Sequence, residues 1–379
     1  MGGEAESRRH LLQCCNQRLR EMLPVGASVV FVHNVARDQL GARRSPITYS
    51  SAVSACEKVG RWQHALSLFS EMMEATVEID TICCNAGISA CKNDGQWQQA
   101  LSLLKDLFEA HLTPTIVSYS AVVSVCQSGG QWQQALALLH ESMQVTLESN
   151  VVIFSAGVSA CVTGVQWEQA LSLLSEVSEG KLTPNSITFN AAITACEKGG
   201  QWLQALSLLQ EMPGAELFPN IVTFNAGISS CEKCGRWQHA LSLLSQLVKA
   251  TVEPDVVSYS AAISACEKGG QWQQAMMLLS ELRKRILEPD VICFSAGVSA
   301  CNKGGQWQQA LALFHESRGA KLELDIVSFN SGICACEWGK QWRQALMLLC
   351  GLRQAKLQPD VIIIYSVGIS ACEKGEQAI

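Results

Sequence analysis

A cysteine, a glycine pair and a tryptophan recur together along this chain, and each of them could do chemistry. Residues 264–279 read SACEKGGQWQQAMMLL, and closely similar stretches occupy 194–209 and 299–314. A thiolate is a nucleophile or metal ligand, a glycine-rich loop can hold phosphate, and an indole can stack on a nucleobase. A catalytic site is normally built once, whereas this combination is repeated, so the pattern favours a structural role for these three residue types.

The tryptophans set the period of the repeat. Nine of the ten tryptophans, from Trp62 to Trp342, are spaced 35 residues apart, and a cysteine precedes each of the nine by six residues. Blocks of this length run without insertion over residues 46–360, between an N-terminal extension at 1–45 and a partial tenth block at 361–379. A fixed period of this size indicates an array in which each block is one supersecondary unit.

Each block is predicted to form two helices. In block 256–290, four apolar residues from Tyr259 to Cys266 have the i, i+3, i+4, i+7 spacing of one helix face. The glycine pair that follows ends this helix, and Trp272 begins a second apolar face. Because one hairpin cannot cover both faces, the sequence predicts an all-α solenoid of stacked helix-turn-helix hairpins, with the indoles and thiols buried in its seams.

Composition excludes several classes of protein. The chain is 48% hydrophobic and 16% charged, yet no apolar run reaches the length of a membrane span. Ten of the 18 cysteines follow the repeat, which indicates a reducing compartment rather than a disulfide scaffold. Cys231 and Cys234 form a C-x-x-C without a second pair to complete a zinc site, and no nucleophile–base, phosphate-loop or paired-carboxylate motif occurs. We therefore predict a protein without catalysis, cofactor, metal, membrane association or small-molecule substrate.

Two polar positions that vary from block to block are the candidate binding residues. The fifth residue of each block is always Ser or Asn: Ser50, Asn85, Ser120, Ser155, Asn190, Asn225, Ser260, Ser295 and Asn330. The last residue forms an elbow before the next helix: Asp80, Thr115, Asn150, Asn185, Asn220, Asp255, Asp290, Asp325 and Asp360. Helix N-caps favour the same residue types, so capping alone is an alternative explanation of the elbow residue. Capping does not explain a Ser or Asn inside a helix, where neither is a good helix former.

This arrangement resembles the pentatricopeptide repeat family. The 35-residue period spans 46–360, ITYSSAVSAC, ITFNAAITAC and VSYSAAISAC resemble the first-helix signature of the family, and LEPD and VEPD resemble its elbow. The resemblance implies a right-handed superhelical solenoid of plain repeats that binds single-stranded RNA, one repeat per base, with the fifth and last residues reading the base edge together. It also implies that the aliphatic second residue packs between bases: Ile47, Ile82, Val117, Val152, Ile187, Val222, Val257, Ile292 and Val327.

The resemblance further implies a target sequence and a cellular role. In the family, Ser at the fifth position favours purines and Asn favours pyrimidines, whereas Asp at the elbow favours G or U and Asn favours A or C. Applied to the nine pairs of this chain, these preferences predict 5′-GCAAYUGGU-3′, and Thr115 is the least typical elbow residue. Family analogy alone suggests RNA processing, stabilisation or translation in a mitochondrion or chloroplast, and the alternative is a cytoplasmic protein.

The charge of the chain leaves a second function open. The net charge is −6, although nucleic-acid binding usually relies on basic side chains. A lysine recurs two residues after the repeated cysteine, at a position that faces the RNA backbone in the family: Lys58, Lys198, Lys233, Lys268 and Lys303. A solvated helix end, where lysine complements the helix dipole, is the alternative explanation. The alternative function is a protein–protein scaffold that holds a peptide in the same groove.

Overall fold

The fold is all-α in the residues that the computed structural model describes, which are 46–74, 80–110, 112–145, 151–179, 182–320, 322 and 324–354. The predicted N-terminal extension and partial tenth block lie outside them. Eighteen α-helices alternate with short turns in this part of the chain, and one 3-10 turn, Met212–Ala215, follows a second helix. Every helix described here is too short or too polar to cross a lipid bilayer.

Each repeat contributes a first helix and a second helix. The first helices are α1 (Pro46–Val59), α3 (Thr81–Ala90), α5 (Ile116–Ser128), α7 (Val151–Thr163), α9 (Ser186–Lys198), α11 (Ile221–Lys233), α13 (Val256–Lys268), α15 (Val291–Lys303) and α17 (Ile326–Trp338). The second helices all begin at the repeated tryptophan: α2 (Trp62–Glu74), α4 (Trp97–Glu109), α6 (Trp132–Val145), α8 (Trp167–Glu179), α10 (Trp202–Glu211), α12 (Trp237–Lys249), α14 (Trp272–Lys284), α16 (Trp307–Gly319) and α18 (Trp342–Gln354).

The turn inside most hairpins is a glycine-based helix end: seven of the nine described turns contain a glycine with positive φ, and Val165 and Lys340 adopt this conformation in the other two. After α13, Gly270 adopts a φ of +68°, and the amide of Gln271 donates to the carbonyl of Cys266 at 2.8 Å. A left-handed residue closed by this hydrogen bond is the Schellman motif, and glycine enters the left-handed region without steric cost. The glycine pair therefore ends the first helix, as the sequence predicts. This structural role accounts for the glycines without a bound phosphate.

The hairpins stack within two compact units, Met1–Glu148 and Ser149–Ile379. In the described part of each unit, successive first helices lie side by side, such as α1 on α3 and α11 on α13. Each second helix packs on its own first helix and, where the next repeat belongs to the same unit and is described, on the first helix of that repeat. Tyr259, Ala262, Ile263 and Cys266, predicted as one apolar face, all have no exposed surface. The prediction of stacked helix-turn-helix hairpins is confirmed.

The tryptophans lie at seams between repeats, but the prediction that they are buried is wrong. In every repeat whose tryptophan side chain is described, the indole is only half-buried. Trp237 lies against Gly269 of the next repeat, so closely that a Cβ added to Gly269 would be 2.3 Å from its Cδ1. Trp272 meets Gly304 in the same way. Because part of each ring stays in water, the indole contributes less apolar burial than a core tryptophan would.

Candidate nucleic-acid interface

In two repeats, the fold brings the fifth residue and the elbow residue of the same repeat into contact. The amide Nδ2 of Asn225 donates to Oδ1 of Asp255 at 3.2 Å, although 30 positions separate the two residues. The hydroxyl of Ser155 lies 3.4 Å from Oδ1 of Asn185, the matching pair in another repeat. The contact arises because the elbow begins the next first helix, which packs beside the first helix that carries the fifth residue. Two polar groups of one repeat can therefore contact the same ligand group.

The candidate pairs are partly open to solvent. All described fifth residues are half-buried except Ser155 and Ser260, which are 7% and 6% exposed. All described elbow residues are half-buried or exposed, while Asn150 and Asp360 lie outside the described residues. The polar groups are thus neither packed into the core as a set nor fully solvated, which suits side chains that orient a bound group.

A row of exposed aliphatic side chains accompanies these pairs. The second residue is 71% exposed at Ile82 and 54% exposed at Val327, and the whole described row is exposed: Ile82, Val117, Val152, Ile187, Val222, Val257, Ile292 and Val327. The side chain of Ile47 lies outside the described residues. Apolar side chains that recur in solvent at one repeat position form a candidate binding surface, because the packing of the fold does not account for their exposure.

Each elbow residue also caps a helix, so the capping explanation is correct but incomplete. In all seven described elbows, the side chain accepts a hydrogen bond from the backbone amide of the third residue of the next helix. The seven are Asp80, Thr115, Asn185, Asn220, Asp255, Asp290 and Asp325. The cap occupies one oxygen atom. The second oxygen of an aspartate, or the amide nitrogen of an asparagine, is left to bind something else.

Asp255 shows that an elbow carboxylate stays ionised. Burial acts to raise its pKa, but hydrogen bonds from Ser258 and Asn225 outweigh burial and hold the pKa below the ordinary value. At neutral pH the side chain is therefore a pure hydrogen-bond acceptor. Its contribution to stability is present above the ordinary pKa of a carboxyl group and is lost as the pH falls through the lowered value.

The predicted phosphate-facing lysines are partly neutralised by acidic partners. Three of them bind the glutamate of the preceding repeat: Lys233 to Glu197 at 2.9 Å, Lys268 to Glu232 at 2.5 Å, and Lys303 to Glu267 at 2.6 Å. Lys198 has Val162 at the corresponding place and no ion pair within the described residues. These ion pairs were not predicted from the sequence, although each glutamate immediately precedes a repeated lysine position. The role of Lys58, Lys198, Lys233, Lys268 and Lys303 in phosphate binding stays a prediction.

The repeated cysteines are buried thiols. Burial raises the pKa of Cys231 and of Cys266 to about 11, so both are protonated and unreactive at neutral pH. Within the described ranges, no three His, Cys, Asp or Glu side chains lie close enough to hold a metal ion. The recurring thiol is a core side chain, like the alanine and isoleucine beside it.

Family comparisons agree with the repeat architecture. The chain matches the PPR repeat family over residues 184–231, 219–268 and 254–303, the pentatricopeptide repeat domain over 67–128 and 137–201, and the PPR repeat over 47–77. These matches together span well over half of the chain. No curated protein shows significant sequence similarity to it.

Solved structures with a similar fold are helical repeat proteins. The pentatricopeptide repeat protein PPR10 in complex with an 18-nt psaJ RNA element has a TM-score of 0.71 and 21% identity, over 92% of this chain and 50% of that chain. PPR10 from maize has a TM-score of 0.60 and 22% identity, over 94% of this chain and 53% of that chain. The present chain thus spans about half the length of PPR10. The family matches and the stacked 35-residue hairpins establish that this chain belongs to the pentatricopeptide repeat family.

Proposed function

We propose that the chain binds single-stranded RNA, that each repeat reads one base, and that it catalyses no reaction. The observation that carries the proposal is the contact between the fifth residue and the elbow residue, as at Asn225 and Asp255, beside an exposed aliphatic side chain. A pair of polar groups at the edge of an apolar surface suits an unstacked base, which has a hydrogen-bonding edge and two apolar faces. The RNA named in the PPR10 complex supports the same class of ligand.

The cap bonds determine what an elbow aspartate offers to a base. Oδ1 of Asp255 accepts from the amide of Ser258 at 2.8 Å, which leaves Oδ2 as the less occupied acceptor. An acceptor pairs with the N3–H of U or the N1–H of G, and it repels the ring-nitrogen lone pair of C or A. The amide of Asn225 supplies a donor, which suits a carbonyl oxygen of U. This repeat is therefore assigned U.

The cap bonds give an elbow asparagine the opposite character. Oδ1 of Asn220 accepts from the amide of Thr223 at 3.1 Å, and the hydroxyl oxygen of Thr223 lies 3.0 Å from the same atom. The amide nitrogen is then the group available to a base, and it donates to the ring nitrogen of C or A. Asn185 is held in the same way, with its Oδ1 2.9 Å from the amide nitrogen of Thr188. The donor or acceptor that each elbow presents is thus fixed by a structural hydrogen bond.

The aliphatic row supplies contacts that do not depend on base identity. Val222 and Val257, 56% and 54% exposed, occupy the same position in successive repeats. A base inserted between two such side chains covers both of them, and burial of this apolar surface favours binding. Base stacking thus adds affinity, while the polar pairs add specificity.

Base reading is tested by measuring binding to the proposed target 5′-GCAAYUGGU-3′. The oligonucleotide carries C at the fifth base, where the target allows either pyrimidine. We expect the chain to bind this oligonucleotide at least tenfold more tightly than a scrambled one, since each mismatched edge leaves a polar group unpaired at about 1–3 kcal/mol. Fluorescence anisotropy at fixed salt measures both affinities. Equal affinities would refute base reading. Crosslinking in cells to a peptide partner without RNA would instead support a protein scaffold.

The lysine–glutamate pairs predict weak dependence of RNA affinity on salt, and Glu232→Gln tests this. The change frees Lys268 from its 2.5 Å ion pair, so the lysine becomes available to phosphate. We expect a two- to fivefold gain in RNA affinity at low salt, in keeping with the ~0–1 kcal/mol of an exposed ion pair, and a steeper salt dependence. Glu211→Gln is the control, because Glu211 bonds the hydroxyl of Ser207. An equal gain in both variants would show that only net charge matters.

A role in RNA processing, stabilisation or translation within a mitochondrion or chloroplast is part of the proposal. It is supported by membership of the family. Imaging of the tagged protein with organelle markers is the measurement, and a purely cytoplasmic signal would contradict the organellar part while leaving RNA binding untouched.

A further inference from the structure

The third residue of a repeat contacts the base-reading asparagine of the repeat before it. The hydroxyl of Thr223 donates to Oδ1 of Asn190 at 2.6 Å, and the hydroxyl of Ser258 donates to Oδ1 of Asn225 at 2.6 Å. Both hydroxyl-bearing residues are fully buried, so water does not compete for these bonds. The contact joins two repeats at the point where a base would be read.

The hydroxyl decides which end of the amide faces the ligand. An asparagine amide has an accepting end and a donating end, and rotation by half a turn exchanges them. At Asn225 the carboxylate of Asp255, 3.2 Å from Nδ2, also fixes the orientation. Among the described residues, the side chain that holds Oδ1 of Asn190 toward the protein is Thr223, through the hydrogen bond from its hydroxyl. The amide N–H groups of Asn190 are thereby left for the base, and Asn225 keeps one N–H for the base beside the one that it donates to Asp255.

The sequence of the repeats follows the same logic. The third residue lacks a hydroxyl at Cys83, Ile153 and Cys293, and the fifth residue of the preceding repeat is a serine in all three cases. Such a serine needs no partner in the next repeat, because its hydroxyl bonds its own helix, as Ser260 does to the carbonyl of Val257 at 3.1 Å. Asparagine needs an external donor for its carbonyl oxygen, whereas serine does not.

Two asparagines show what happens without that donor. Ser118 follows Asn85 at the right position, but its hydroxyl engages Thr115, the atypical elbow residue, at 3.2 Å. Asn330 is followed by isoleucines where the third residue of the next repeat would stand. The Oδ1 atoms of Asn85 and Asn330 are both buried without a hydrogen-bond partner among the described residues. The hydroxyl contact therefore forms at Thr223 and Ser258 but not at Ser118, whose hydroxyl engages its own elbow residue.

We propose that Thr223 and Ser258 are positioning residues for the base bound by the preceding repeat, because their hydroxyls hold the asparagine amide with its donating end toward the RNA. The inference rests on the proposed function. It makes base recognition a property of three side chains from two repeats. A repeat with Asn at the fifth position then reads its pyrimidine faithfully only when Ser or Thr stands at the third position of the next repeat.

Thr223→Val tests the proposal at the fifth base, which Asn190 and Asn220 read. Valine keeps the branched shape and removes the hydroxyl, so the released amide can turn and accept from the N6 amino group of A. We expect the preference for C over A at this base to fall about fivefold, the size of one lost hydrogen bond. Thr223→Ser retains the hydroxyl and restores the preference. The readout is the ratio of two affinities for oligonucleotides that differ only at the fifth base.

Thr188→Val is the matched control. Thr188 also follows an asparagine elbow, but the fifth residue that it contacts in the preceding repeat is Ser155 and not an asparagine. Its hydroxyl bonds Oδ1 of Asn185 at 2.9 Å and lies 2.7 Å from the hydroxyl of Ser155, which also donates to the carbonyl of Val151. We expect the ratio of the affinities for A and C at the fourth base to change less than about twofold. A hydroxyl, unlike an amide, does not exchange a donating end for an accepting end when it turns.

The outcomes separate this inference from the proposed function. If the wild-type chain discriminates C from A and Thr223→Val discriminates equally well, the positioning role is wrong and base reading stands. If both Val variants lose discrimination to the same extent, the hydroxyl acts only through the elbow asparagine, which also overturns the inference. If the wild-type chain binds no RNA, both proposals fail together.

Discussion

Asp255→Asn is expected to change the preferred base at the sixth position of the bound RNA from U to C. The change is isosteric, and asparagine caps a helix as well as aspartate does, so the fold should be retained. Because the cap bond from Ser258 holds Oδ1, the amide nitrogen takes the place of the less occupied carboxylate oxygen Oδ2, and an acceptor becomes a donor. We expect at least a tenfold change in the U-to-C affinity ratio, corresponding to about 1–3 kcal/mol for an unpaired polar group.

A second repeat provides the control for that switch. Asp325 caps α17 with Oδ1 2.8 Å from the amide nitrogen of Ser328, and it is paired with Ser295 rather than with an asparagine. Asp325→Asn should therefore change the eighth base from G to A and leave the sixth base unaffected. Affinity measurements with all four bases at both positions would test the pair of variants. A gain of affinity without a change of preference would show that the elbow charge acts on the RNA backbone.

The fold was predictable because one sequence period carries most of the information. The spacing of apolar residues such as Tyr259 and Cys266 gives the faces of the helices, and glycine gives the turn. The degree of indole burial was not predictable in the same way. A tryptophan at Trp237 has the spacing of a core residue, but its large ring reaches past the core to a glycine of the next repeat. Burial of a side chain at a seam depends on the neighbouring unit as well as on its own helix.

The interface was only partly predictable for a related reason. The variable positions, such as Asn225 and Asp255, stand out because they remain polar where the neighbouring positions are apolar, and the structure places these two in contact. Whether they read RNA bases is still a prediction. The partners that set their orientation, such as Ser258, are not visible from one repeat, because the contact runs between repeats. Ion pairs such as Lys268 with Glu232 were missed for the same reason, since each joins positions 36 residues apart.

Gly269→Ala is expected to lower the stability of the fold by about 2 kcal/mol, a typical cost of overpacking. The new Cβ would lie 2.3 Å from Cδ1 and 2.8 Å from Cγ of Trp237, closer than any ordinary contact, so the two repeats must separate locally or the indole must turn. The φ of this residue is −80°, which alanine adopts freely, so the cost is steric rather than conformational. Thermal unfolding followed by circular dichroism would show a fall of several degrees in the midpoint.

A double-mutant cycle shows whether that cost arises from the indole. Trp237→Val removes the ring that a Cβ at position 269 would strike, so Gly269→Ala in this background should cost little. Gly319→Ala is the control for the exchange itself, because nothing lies within 4 Å of its Cβ position at the end of α16, and alanine is about 0.5–1 kcal/mol better than glycine in a helix. Additive costs in the cycle would mean that the indole and the glycine do not act as one contact. The tryptophan would then support its own helix and not the seam between repeats.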